Sequence, residues 1–267
     1  KRIDLDEKNL IKANYLNVTS AKLCTTLENE FGVKVSTVEH LLAALYMSNI
    51  DNALIEINSE EVPIMDGSAK VFLETLKKTK TKELAEKRKF LKIESKVELV
   101  DGERKISLEP NDNTLEVEFK LNYENKVIGN QENIVNLNND NLDDVSNSRT
   151  FCLFDDIEKI KKAGLAKGGS LDNALVVDDH KVLNKDGLRN EKEFVNHKIL
   201  DLVGDFMLSG FRILGKVNCY QGGHQLTNMF LRKLIASKDS ISKINFHDAV
   251  KIKKKAPIVT EKIALNA

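Results

Sequence analysis

In the run Asn196-His-Lys-Ile-Leu-Asp-Leu-Val-Gly-Asp205, three ionisable residues, His197, Asp201 and Asp205, recur at every fourth position. On a helix turning about 100° per residue they share one narrow stripe, among Ile199, Leu200, Leu202, Val203 and Phe206. A helix apolar on most sides belongs inside a folded body, so the fold must bring a partner to that polar stripe. An imidazole and a carboxylate one turn apart can hold two corners of a metal ion. A third ligand and an open position must then come from elsewhere in the chain.

The chain can build such an interior. Its 267 residues, 41% hydrophobic and 31% charged, suit a globular protein with one large core or two modest ones. Lysine plus arginine equals aspartate plus glutamate at 41 each, and 11 Phe and 4 Tyr with no Trp offer few stacking faces. Nucleic acid is therefore not an expected partner. No run of 18 apolar residues occurs, and Lys1-Arg-Ile-Asp-Leu-Asp6 has no signal-peptide core. The expectation is a cytoplasmic protein without a stable membrane anchor, working as a monomer. Cys24, Cys152 and Cys219 are odd in number and far apart, which predicts reduced thiols rather than a disulfide framework.

Short strands are expected over residues 11–18, 23–27 and 30–35, then a helix over 37–47 whose start carries the capping-box pattern Ser36-Thr-Val-Glu39. A strand at 52–57, a turn at 62–68 and a second helix at 69–76 follow. The lysine-rich residues 77–89 read as a solvated helix end and linker. Beyond it, residues 90–100, 105–108 and 114–121 alternate apolar and polar positions as half-buried antiparallel strands do. Residues 130–147 read as an Asn-rich polar segment. A helix over 155–162, a strand at 174–177, the His197 helix ending at Gly210, a strand at 212–220 and a helix over 225–236 complete the pattern. This predicts an α+β protein of two domains, residues 1–87 and 88–267, rather than a βαβ winding.

Ser36-Thr-Val-Glu-His40 offers what the His197 stripe lacks, although Glu39 has an equally simple reading as the capping-box residue of its helix. On the chemical reading, His40 completes a two-His, one-carboxylate zinc set, and Glu39 beside it is a general base. Zinc lowers the pKa of a bound water to about 7, which makes hydrolysis feasible at neutral pH. No His-Glu-x-x-His occurs, so the common metalloprotease helix is excluded. His224 follows Gly222-Gly223 on a loop before a helix, where a carboxylate such as Asp205 could fix its tautomer. Ser148-Arg-Thr-Phe-Cys152 is either another polar patch or an ordinary strand. Gly168-Gly-Ser170 is a weak phosphate signal, and His180 and His247 read as surface histidines.

Taken together, the ordered segments Leu23-Cys-Thr-Thr-Leu27, Ser36-Thr-Val-Glu-His-Leu41, Val62-Pro-Ile-Met-Asp-Gly-Ser-Ala69, Ser148-Arg-Thr-Phe151, Gly168-Gly-Ser-Leu-Asp-Asn-Ala174, Leu188-Arg-Asn-Glu191, the His197 run and Gly223-His224 closely resemble the zinc-dependent UDP-3-O-acyl-N-acetylglucosamine deacetylases of lipid A synthesis in Gram-negative bacteria. The resemblance implies two α+β domains, each a mainly antiparallel sheet packed with two helices, with the active site at their interface. It implies Zn2+ held by His40, His197 and Asp201, with Glu39 as the general base. Thr150 would stabilise the oxyanion, His224 steadied by Asp205 would stabilise charge and protonate the leaving amine, and Lys198 would contact the polar part of the substrate.

By the same resemblance, Phe151 packs near the sugar or nucleotide of an acylated UDP-amino sugar, and Leu23 and Cys24 join the substrate-binding set. A strand-helix-strand insert over residues 152–177 would form the acyl passage, lined by Phe154, Ile157, Leu165, Leu171, Ala174 and Val176. The family opens with a strand pair and a Gly-Leu-His-Ser-Gly-type loop that precede the matched segments and are not part of this sequence. An alternative keeps the scaffold as a non-catalytic protein that binds a nucleotide sugar or a partner.

Overall fold

The structure is a computed structural model and describes residues 1–162, 164 and 166–245. It begins with β1 (Val18–Ser20), β2 (Thr26–Glu28) and β3 (Lys34–Val35), a small antiparallel sheet in the order β1-β2-β3. Helices α1 (Glu39–Met47) and α2 (Lys70–Lys77) follow. Then come β4 (Lys89–Ile93), β5 (Val97–Asp101), β6 (Arg104–Glu109), β7 (Leu115–Asn122) and β8 (Asn130–Asn136), the short helix α3 (Asp143–Asn147), β9 (Phe151–Leu153), α4 (Ile157–Lys162) and β10 (Leu175–Val177). The long helix α5 (Glu193–Met207), β11 (Arg212–Tyr220), α6 (His224–Ala236) and β12 (Ile241–Asn245) complete the described elements.

This is the expected α+β architecture. The large sheet has seven strands centred on β11, which runs antiparallel to β6 and parallel to β4 and β7. The pairs β4–β12, β5–β6 and β7–β8 are antiparallel. Along β7, Leu115, Val117, Phe119 and Leu121 face inward while Glu116, Glu118 and Lys120 lie on the other face, the two-residue period its sequence carries. Strands β9 and β10 form a separate parallel pair with α4 between them in the chain.

Three local expectations give way to tertiary contacts. Residues 52–57 form no strand: among the described residues Ile57 makes one isolated bridge, beside Arg2, and this part of the chain meets no ladder partner. The Asn-rich segment hides β8 and α3, since β8 draws its order from pairing with β7 rather than from its own polar sequence. The capping box does not form either: Thr37 has φ +57, Val38 is the N-cap, and no side chain caps α1. Ser36 instead bonds Glu60 and Val62, which leaves Glu39 as the first helical residue with its carboxylate free for other work. The expected channel residue Leu165 and the expected surface residue His247 lie outside the described residues.

The core explains where the polar stripe goes. All of Glu193–Phe206 in α5 is buried except Lys198, so this helix runs through the interior. Phe206 stacks on Phe230 of α6 at 6.3 Å, and α1 also packs against α5. At that crossing Gly204 meets α1 backbone to backbone, for a Cβ on Gly204 would stand 2.1 Å from the Glu39 carbonyl oxygen. Among the described residues no helix is long and apolar enough to cross a membrane.

Candidate metal centre and active site

Two helices supply the centre of the site. Glu39 and His40 open α1, and His197, Asp201 and Asp205 line the face of α5 that α1 covers. His40 Nε2 stands 3.5 Å and His197 Nε2 3.3 Å from Asp201 Oδ1, and the two imidazoles meet edge to face at 5.1 Å. One ligand atom from each of these three residues lies within 4.8 Å of the others, and all three residues are buried. His197 Nδ1 donates to the Ser148 carbonyl at 3.1 Å, which leaves its Nε2 as a lone pair aimed at the carboxylate. Burial pushes His197 down to about 3 against the pull of Asp201, so the ring is neutral, as a metal ligand must be.

Asp201 is held well below the usual carboxylate range. Burial opposes its charge, but its neighbours outweigh that cost, among them Lys198, whose Nζ lies 2.9 Å from Oδ2. Only Oδ2 is served by Lys198. Oδ1 is buried with no hydrogen-bond partner among the described residues, facing an imidazole lone pair. An ionised oxygen pressed toward a lone pair is costly unless a cation sits between them. The donor set, two imidazole nitrogens and a carboxylate oxygen, fits a divalent metal ion; His197 and Asp201 have their outer bonds made, whereas His40 Nδ1 is buried with no partner among the described residues.

A second cluster adjoins the first. His224, the first residue of α6, directs Nδ1 at Asp205 Oδ2, 2.8 Å away, and its Nε2 lies 3.7 Å from Glu39 Oε1. Burial disfavours charge on this ring, but Asp205, Glu39 and Asp201 overcome it and push its pKa up to about 10, so His224 is an imidazolium. Burial raises the pKa of Glu39 above the usual carboxylate range, and His224 and His40 only partly offset the rise. A carboxylate with raised basicity thus lies beside a charged imidazole, the pairing that acid–base chemistry at neutral pH requires.

Of the remaining expected residues, Phe151 and Lys198 adjoin this centre. Phe151 packs edge-on against Phe194 at 5.1 Å and His197 at 6.2 Å, and Lys198 Nζ lies 5.3 Å from the Phe151 ring centre. Thr150 is half-buried, its N–H donating to Gly67 and its carbonyl accepting from Leu175, so the main chain at this point is fixed from both sides. Cys24 is half-buried, and its thiol pKa is raised by burial and then by Glu39. Leu23 is 57% exposed on a turn with φ +66. On the insert, Ile157 and Ala174 are half-buried, Leu171 and Phe154 are exposed, and Val176 is buried.

Sequence reasoning gave no role to four residues on which this geometry depends. Thr25 bonds both Glu39 and Asp205, and Gly204 permits the helix contact. The fully buried Glu193 grips the Arg149 side chain at 2.8 Å and its main-chain N–H at 3.1 Å, so it fixes the segment that carries the Ser148 carbonyl and Thr150. Thr25 lies within Leu23-Cys-Thr-Thr-Leu27 and Arg149 within Ser148-Arg-Thr-Phe151, so the segments were visible although the contacts were not.

Residues 1–236 match the model of the family described as LpxC, UDP-3-O-acyl N-acetylglycosamine deacetylase. The chain belongs to this family. A protein of Idiomarina loihiensis named UDP-3-O-acyl-N-acetylglucosamine deacetylase is 40% identical over 251 residues, covering 93% of this chain and 82% of its own length. Proteins of the same name from Haemophilus ducreyi and Shewanella baltica are 38% and 41% identical over 250 and 248 residues, each covering 92% of this chain and 82% and 81% of their own lengths. This deacetylase family is the one that the sequence segments resemble, and all of those segments lie within the matched range.

Proposed function

We propose that this chain hydrolyses the acetamide of UDP-3-O-acyl-N-acetylglucosamine, releasing acetate and UDP-3-O-acyl-glucosamine, an early committed step of lipid A biosynthesis. The observation that carries the reading is the joining of two clusters in one buried site: a His40, His197 and Asp201 donor set and a Glu39–His224 acid–base pair. A structural histidine–carboxylate contact needs no basic glutamate beside it. A site that only binds a nucleotide sugar does not need one either.

Zinc held by His40, His197 and Asp201 would act as a Lewis acid on the acetamide carbonyl and would make water nucleophilic near neutral pH. Glu39 takes a proton from the attacking water, its raised pKa suiting it to that task. The water oxygen adds to the carbonyl carbon, and the Thr150 hydroxyl stabilises the developing oxyanion. His224, charged and held through Nδ1 by Asp205, gives its Nε2 proton to the departing nitrogen as the C–N bond breaks. Lys198 keeps donors to spare beyond its bond to Asp201 and reaches the polar part of the substrate. Phe151, braced by Phe194, packs near the sugar, and Leu23 and Cys24 line its approach.

The exposed apolar Phe154 and Leu171, with Ile157 and Ala174, support an acyl passage on the 152–177 insert. In this reading residues 1–87 and 88–267 are two domains that each lend a helix to the site, and the protein works in the cytoplasm as a monomer. The test is acetate release from the acylated UDP-sugar by the purified chain, after chelation and after one equivalent of zinc is returned. Zinc-restored turnover is expected. Zinc-loaded protein that binds the sugar nucleotide but releases no acetate would overturn the reading in favour of a binding protein.

A further inference from the structure

Thr25 stands outside the roles assigned above, yet it ties the two halves of the acid–base pair together. It is 2% exposed and lies just before β2. Its N–H donates to Glu39 Oε2 at 3.0 Å, and its hydroxyl donates to Asp205 Oδ1 at 2.6 Å. In this second bond the hydroxyl is the donor and the carboxylate oxygen the acceptor. Asp205 in turn uses Oδ2 for His224 Nδ1, and His224 Nε2 faces Glu39 Oε1. The four residues close a ring: Thr25, Glu39, His224, Asp205 and back to Thr25.

We propose that Thr25 is a positioning residue of the deacetylation reaction, setting the separation and orientation of the base Glu39 and the acid His224. The proposal rests on the deacetylase reading. Its physical content is that each carboxylate has one oxygen tied by Thr25, so the other oxygen can point in only one way. For Glu39 that leaves Oε1 toward the reacting centre, and for Asp205 it leaves Oδ2 on the imidazole. The β-branched side chain is stiff at χ1, so the hydroxyl is held on Asp205 rather than rotating among partners. Thr25 comes from the segment leading into β2, Glu39 from α1 and Asp205 from α5, so one residue ties these parts of the chain together at the site.

Three variants test this in the full chain: Thr25→Val, which keeps shape and the main-chain N–H but removes the hydroxyl; Thr25→Ser, which keeps the hydroxyl; and Thr25→Ala, which has no bulk to misplace if valine disturbs folding. For Thr25→Val and Thr25→Ala we expect kcat to fall by about 10²-fold, the cost of misplacing reacting groups by roughly an ångström, with KM little changed. Thr25→Ser should recover most of the loss. Bound zinc should stay at one equivalent in all three, since the hydroxyl touches no ligand. A readout independent of turnover is the downfield proton NMR signal of the His224 Nδ1–H bonded to Asp205. It should shift or broaden in Thr25→Val and Thr25→Ala and persist in Thr25→Ser. Normal kcat in the valine and alanine variants, a serine variant as slow as alanine, or an unmoved imidazole signal would each overturn the role given to Thr25. The wild type assayed alongside separates the two readings: if it releases no acetate, the deacetylase reading fails, and this proposal falls with it.

Discussion

Replacing Gly204 by alanine would set two magnitudes against each other. In an exposed helix the change stabilises by about 1 kcal/mol, because glycine is the costlier helix former. Here the new Cβ would stand 2.1 Å from the Glu39 oxygen, 2.9 Å from its carbonyl carbon and 3.2 Å from the Ala43 nitrogen, all backbone atoms that cannot rotate away. Ordinary contact begins at 3.4 Å, so α1 and α5 must part by about 1.3 Å, an overpacking that costs about 1–3 kcal/mol. The net loss of metal-free stability is then at most about 2 kcal/mol, and the protein should still fold. The proposed metal centre would be less forgiving, since its ligands would divide between the separating helices and must hold their distances to about 0.2 Å. We therefore expect zinc affinity and turnover each to fall by about 10²-fold or more, out of proportion to the small stability loss. Urea unfolding of the metal-free protein, a zinc competition titration and acetate release measure the three quantities. Wild-type zinc affinity in a folded Gly204→Ala protein would refute the argument that this glycine sets the ligand geometry.

Glu39→Gln keeps an acceptor for the Thr25 N–H but cannot take a proton; kcat should drop by about 10²- to 10⁴-fold with zinc content unchanged, whereas His197→Ala should lose both, by metal analysis and acetate assay. Arg149→Met strands the fully buried Glu193 without its cation and should cost about 3–5 kcal/mol in urea unfolding, with reduced turnover because Ser148 and Thr150 lose their anchor. Removing zinc by chelation should lower the melting temperature by about 10 °C, since saturation at a thousand times the dissociation constant is worth about 4 kcal/mol; an unchanged melting temperature would mean that the donor set binds no metal in the folded state.

What could be read from the sequence followed from periodicity and from side-chain chemistry. Alternation along β7 and the wholly apolar flanks of α5 express their burial directly, so both elements and the polar stripe of α5 were visible. The strand β8 was not, because its Asn-rich residues have little preference for a strand and take their order from β7. Glu39 was ambiguous for a specific reason: Ser36-Thr-Val-Glu39 is a sound capping pattern, and only the φ of +57 at Thr37 turns it aside. Thr25 and Gly204 were hidden because their roles lie in contacts with residues distant in sequence, which no local pattern encodes.

The charges of the site explain why its two clusters must share one interior. Glu39, Asp201 and Asp205 bring three carboxylates, and Lys198 and His224 bring two cations, while His197 remains neutral. With all three carboxylates ionised, the cluster carries one uncompensated negative charge in a region where such a charge is expensive. Asp201 Oδ1, which has no hydrogen-bond partner among the described residues, stands beside the His197 lone pair. A divalent cation there reverses the balance, and it relieves Asp201 without disturbing the Asp205–His224 bond, whose atoms are already committed to each other. The same arrangement separates the proposed base from the proposed ligands: Glu39 is held by Thr25 and faces His224, so a metal held by its neighbour His40 would leave it free to move a proton.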